Sequence, residues 1–229
     1  MSAGSSGTDA VVKRSLVGLS AIALGGALMA AILDLPNAVV NLPAAVSTHL
    51  AASGVEHTVT AVLLNFRGYD TLLEVAVLLL ALLGMWAVAP GEGGDAVASP
   101  ANPVLQALAR LAVPLMILAA GYLLWAGAHR PGGAFQAGAV LAAAAVLLNL
   151  SGLLPAWGAP GRMLRLGLAG GFLVFLAVAV ALLGEGGLLR YPPDRAGALI
   201  LLIESGLTIS LGLILAGLFL VLVERNGRP

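Results

Sequence analysis

Asn65-Phe66-Arg67-Gly68-Tyr69-Asp70-Thr71-Leu72-Leu73-Glu74 sets one arginine and two carboxylates at the start of a long apolar run, Val75 to Val88. Ionisable groups beside a bilayer are costly to bury, and those that persist there mark candidate ion or proton paths. Asp70 and Glu74 are four residues apart, so a helix containing both shows them on one face. That spacing predicts a carboxylate about one turn inside a membrane helix and a second at its mouth. Arg67 is near enough to serve either of them, or to form with Asp70 a surface pair worth under about 1 kcal/mol.

A second carboxylate, Glu204, stands in Leu201-Leu202-Ile203-Glu204-Ser205-Gly206-Leu207-Thr208, with Ser205 and Thr208 as polar neighbours. In a bilayer such a glutamate stays neutral, pairs with a cation or lines a hydrated path. Both Glu74 and Glu204 are therefore candidates for an ion path, and for each the plainer alternative is a hydrogen bond to a neighbouring helix. Between them lies Gly127-Ala128-His129-Arg130-Pro131-Gly132-Gly133-Ala134-Phe135-Gln136-Ala137-Gly138. Pro131-Gly132-Gly133 supplies a tight turn, because proline fixes φ and glycine accepts conformations closed to other residues. His129 and Gln136 flank that turn and can bind water or a partner loop; the simpler role for His129 is to complement the dipole at the end of the preceding helix. His49 and Glu56-His57 fall in an amphipathic connection, with no spacing that suggests a metal site. No phosphate-binding loop, nucleophile elbow or pair of haem histidines is present in the sequence, and no cofactor is expected.

The elements that must hold these groups are set by composition. Of 229 residues, 60% are hydrophobic and 10% charged, and the mean hydropathy is +1.03. This predicts an all-α integral membrane protein with about six transmembrane helices. They run roughly over 15–33, 71–88, 105–127, 134–154, 164–183 and 198–223, bounded by Pro36, Pro90-Gly91, Pro131-Gly132-Gly133, Pro155 and Pro192-Pro193. Glycine-rich, alanine-rich faces suit helices that approach closely. Zero net charge gives no reason to expect nucleic acid. The absence of cysteine rules out disulfides and thiolate sites on this chain.

A polar tail followed by Lys13-Arg14 and an apolar stretch has the layout of a signal peptide, but the run is long and more spans follow, so an uncleaved first helix is expected. With the N-terminus inside, Lys13, Arg14, Arg110, Arg162, Arg165, Arg225 and Arg228 lie on the cytoplasmic side, and Arg67, Arg130, Arg190 and Arg195 on the other. Arg110 is also compatible with a place inside the third span. Both termini are thus expected in the cytoplasm of a multi-pass protein of the inner (plasma) membrane. The polar stretch from Gly91 to Pro103 divides the chain into a two-helix module, 1–98, and a four-helix module, 99–229.

Both modules have a family resemblance. The stretch from Val59 to Glu74 resembles the E-type membrane module of Mrp cation/proton antiporters and membrane-bound hydrogenases, with Leu73 where that family usually carries glycine. Gly127 to Gly138 is similar to the signature of the B subunit of the same antiporters, with Ala134 and Ala137 at positions that are often glycine. The span around Glu204 resembles that subunit's last helix. The resemblance carries Arg67, Gly68, Thr71, His129, Pro131, Gly132, Gly133, Phe135, Gln136 and Gly138 over as motif residues. It implies a non-enzymatic accessory subunit of a multisubunit Mrp-type antiporter, with other membrane subunits of an antiporter or complex I-like assembly as partners. Proton and sodium exchange is implied too, although the sequence does not choose the ion. Membrane subunits of hydrogenase-type redox complexes use the same modules, and a purely structural, interface-sealing subunit would carry them as well. Lys13 is the only lysine, so the axis of membrane lysines and glutamates expected of a pump-type subunit is missing, and the chain is not a complete antiporter by itself.

Overall fold

The computed structural model describes residues 5–35, 41–88, 102–154 and 161–226. Among them are eight α-helices and no strand: α1 (Ser5–Leu33), α2 (Leu42–His49), α3 (Thr58–Thr60), α4 (Gly68–Val88), α5 (Pro103–Ala126), α6 (Ala134–Leu150), α7 (Arg162–Ala181) and α8 (Ala196–Asn226). A π-helical turn, Ala61–Phe66, links α3 to α4, and short 3-10 turns cover Ala51–Ser53 and Leu182–Glu185. The chain forms two compact units that divide between Leu42 and Pro43. The first is α1, which begins ten residues before the apolar run and carries it to Leu33. Most of the linker, including the division between 98 and 99, falls within 89–101, outside the described residues, while its last two residues, Asn102 and Pro103, cap and begin α5.

Five helices are long and apolar enough to cross a bilayer, with spans Val12–Leu33, Gly68–Val88, Pro103–Ala126, Arg162–Gly184 and Ala196–Leu222. The fourth predicted span is shorter. Helix α6 has 17 residues, about 25 Å at 1.5 Å per residue, the low end of the spanning range. It stops at Leu150 because Ser151 turns its hydroxyl back onto the Leu148 carbonyl and Gly152 takes a left-handed φ of 70°. The chain wears much of its apolar surface outward, as at Leu115, Ile117, Leu118, Leu173 and Ile209. That is the pattern expected of a protein solvated by lipid or by other membrane subunits.

Within the second unit, α8 is the central helix. Its inward stripe, Ile203, Leu207, Leu211 and Ile214, is fully buried, and α6, α7 and α4 pack around it. Small residues set two of these seams. A Cβ on Gly138 would lie 2.9 Å from Leu211 Cβ, and one on Gly171 would lie 2.7 Å from the Gly206 carbonyl oxygen. Helices α5 and α6 form the antiparallel hairpin predicted from Pro131-Gly132-Gly133. Asn102 opens α5 by accepting the Val104 and Leu105 N–H groups, and Gln106 reaches across to the Ser151 carbonyl at the far end of α6. At the other end of the unit three connections converge: Thr60 bonds to Gly127, Gly54 lies against Pro193, and Gly68 against Leu189.

Candidate functional site

Glu74 and Glu204, from α4 and α8, line one cavity of about 180 Å³, although 130 positions separate them in sequence. Its other walls are Val59, Thr60, Leu63, Leu64 and Thr71 on one side and Gly132, Ala134, Phe135, Gln136 and Leu207 on the other. The E-like motif and the hairpin motif thus supply facing walls of the same space.

Each wall has a local cause. The π-turn widens the helix before α4: the Arg67 N–H donates to Val62 O rather than to Leu63 O. The Leu63 carbonyl, released from the backbone ladder, accepts the Thr71 hydroxyl at 2.6 Å. Such π insertions often occur at functional sites. Thr60, one turn earlier, donates to the Gly127 carbonyl at 2.6 Å and so ties this segment to the start of the hairpin. Opposite, Gly133 has φ +99°, and the Gly133 N–H closes the hairpin onto Leu123 O at 2.8 Å. A Cβ at Gly133 would lie 2.5 Å from Glu204 Oε1.

Gly133 has no side chain with which to cap α6, so the first turn of that helix needs another acceptor for its free N–H groups. Glu204 provides it from a different helix, accepting a hydrogen bond from the Ala134 N–H. Glu204 is only 6% exposed, and its carboxylate faces the positive end of the α6 dipole. Glu74, by contrast, is exposed on α4 and stands at the open side of the cavity. Among the described residues no cation lies within ion-pair distance of either carboxylate.

The remaining candidates are placed elsewhere. Asp70 is not in the cavity wall; it pairs with Arg67 at the start of α4, both side chains being well exposed. Gly68 is buried there against Leu189. Leu73, where the motif usually carries glycine, is 62% exposed, so the described residues do not crowd its side chain. Gln136 and Phe135 line the cavity, and Gly138 packs one turn further along the α6–α8 seam. Pro131 is exposed at the tip of the turn. His129 bends away from the helix end toward Glu56, with Nδ1 and Oε2 2.8 Å apart. Glu56 sits in a connection and Thr60 inside the Val59–Glu74 motif, and nothing in the sequence marks either as a tertiary contact. Arg110 lies within α5 and is exposed. Among the described residues no three metal-ligating side chains converge.

The fold has known counterparts. With 26% identity and a TM-score of 0.71, 92% of the chain superposes on 98% of a chain in the structure of the membrane-bound sulfane sulfur reductase, an archaeal respiratory membrane complex. The Mrp complex from Dietzia sp. DQ12-45-1b shares the fold, with 21% identity and a TM-score of 0.65 over 95% of this chain, which spans only 27% of that one. A comparison with curated proteins finds no match. Residues 104–223, just over half of the chain and all but the first residue of α5, the whole of α6 and α7 and most of α8, match the family model described as a domain related to the MnhB subunit of Na+/H+ antiporter. The chain belongs to this MnhB-related family.

Proposed function

We propose that this chain is an accessory membrane subunit of a multisubunit Mrp-type cation/proton antiporter, and that Glu74 and Glu204 form part of the assembly's ion path. One observation carries the reading: carboxylates from two helices open on one cavity. Glu74 is exposed on a membrane-spanning helix, a position that lipid disfavours by a few kcal/mol, so a neighbouring subunit is the fitting cover for that face. Asp70, held by Arg67, stands at the mouth of the path. The E-like module, 1–98, is fused in this reading to the MnhB-related module, 99–229; in support, the fold match reaches well beyond residues 104–223. The termini are placed in the cytoplasm of a plasma-membrane protein. Even without Arg110, that side keeps Lys13, Arg14, Arg162, Arg165, Arg225 and Arg228 against the four arginines opposite.

The test uses the assembled complex in proteoliposomes. Glu74→Gln keeps volume and hydrogen bonding but removes the titratable charge, and it is expected to slow ion exchange by about tenfold or more, with Glu204→Gln having a smaller effect. If Glu74→Gln assembles fully and exchanges ions at the wild-type rate, the subunit only seals an interface.

A second reading is favoured by the match to nearly the whole of a chain from a respiratory complex: an ion-translocating membrane subunit of a redox-driven assembly. Purification through a tag on this chain separates the two. Iron–sulfur or nickel–iron partners would select the redox complex, and further antiporter-type subunits the exchanger.

A further inference from the structure

We propose that the Glu74–Glu204 cavity carries protons through water and does not hold a metal cation; this rests on the reading of the cavity as part of an ion path. A space of about 180 Å³ has room for roughly half a dozen waters at ~30 Å³ each, and polar groups on both sides would hold them. A hard metal cation stripped of water needs roughly six convergent oxygens. Here half of the wall is apolar: Val59, Leu63, Leu64, Ala134, Phe135 and Leu207. The Thr60 and Thr71 hydroxyls donate their hydrogens to the backbone carbonyls of Gly127 and Leu63, which fixes them in the wall, and among the described residues no three metal-ligating side chains converge. Glu204 accepts the Ala134 N–H at the start of α6, so one of its carboxyl oxygens is already engaged. Among the wall residues Glu74 on α4 and Glu204 on α8 are the only ionisable groups, and α6 faces them with the neutral Gln136.

Transfer then needs only O–H bonds to exchange. Protonated Glu204 gives its proton to a cavity water, and the excess proton passes along the waters to the Glu74 carboxylate. Glu204 is left as the anion that the Ala134 N–H already holds. Charge and atoms balance without any co-reactant.

The experiment treats the purified complex with dicyclohexylcarbodiimide, which modifies carboxyl groups in their protonated form, and locates the adduct by mass spectrometry. Transport is measured on the same samples. Labelling at Glu74 or Glu204 is expected to fall as pH rises, to remain unchanged when sodium replaces choline, and to remove transport in proportion. Severalfold protection by sodium, with transport still lost on labelling, would overturn the choice of proton while leaving the path intact. Full labelling without loss of transport would overturn the path reading itself. No labelling of either residue at any pH would overturn the relay, and Glu74→Gln transport would then judge the path independently.

Discussion

Helix α8 has two kinds of neighbour. Against α6 and α7 it packs backbone to backbone: Gly138 meets Leu211, Gly171 meets Gly206, and Ser210 donates to the Leu168 carbonyl in a buried hydrogen bond. Against α4 it packs through side chains, with Leu72 and Val75 in one buried cluster with Ile203 and Leu207, and beside the π-turn the two leave a gap that is the cavity. Where glycines let backbones approach, no room is left for water or charge. On the other side of the gap Thr60 ties the segment before the π-turn to the Gly127 carbonyl and Thr71 satisfies the Leu63 carbonyl within the motif, so side-chain hydroxyls fix that wall. The close seams thus position Glu204, and the open one is where the proposed proton exchange would take place.

The largest effect is expected from filling the close seam. Gly171→Leu would place a Cβ 2.6 Å from Ser210 Cβ and 2.7 Å from Gly206 O, and the second of these is backbone that cannot rotate away. Overpacking of this kind costs about 1–3 kcal/mol, so a lower thermal unfolding midpoint and poor recovery of the complex are expected. Gly170→Leu is the control: nothing lies within 4 Å of its Cβ, and it should stay within about 0.5 kcal/mol of wild type. Equal losses for both variants would show that the seam is not set by close approach.

Thr60→Val and Ser210→Ala each delete one buried hydroxyl that donates to a backbone carbonyl, one in the open seam and one in the close seam. Each leaves an acceptor unpaired and should cost about 1–2 kcal/mol. Their effects on transport should differ. Thr60→Val releases the wall that holds the π-turn to Gly127 and should lower transport severalfold, whereas Ser210→Ala should leave it near wild type once the loss of stability is allowed for. Matching transport losses would mean that the two seams do the same job.

The spans and both motifs were legible because lipid imposes long apolar runs, and the turn chemistry at Pro131-Gly132-Gly133 is local. The carboxylates were legible as rare charges in apolar surroundings. Their meeting was not, since Glu74 and Glu204 are joined only by tertiary packing. The cap that Glu204 supplies to Ala134 was hidden for the same reason. The π-turn at Ala61–Phe66 has no sequence mark of its own; its only trace is Thr71, eight residues after the Leu63 carbonyl it satisfies. Glu74 and Asp70 stand one turn apart on α4 as their spacing predicts, but only Glu74 lines the cavity, while Arg67 engages Asp70 at the surface.

The smallest effect is expected at the rim. Glu56 and His129 reach each other from the two strands of chain that Thr60 and Gly127 already join, so their contact adds a second link above the buried one. Their side chains are 79% and 52% exposed, and solvent screens an exposed pair to under about 1 kcal/mol. Glu56→Gln, His129→Asn and the double variant, compared by unfolding of the complex at low and high salt, give the coupling directly. It should be a few tenths of a kcal/mol at low salt, and any part of it that comes from charge should fade at high salt, because exposed charges are screened within about 10 Å at 0.1 M ionic strength. A salt-independent coupling as large as the loss from Thr60→Val would break the contrast, since the rim and not the buried hydroxyl would then be what holds the open seam.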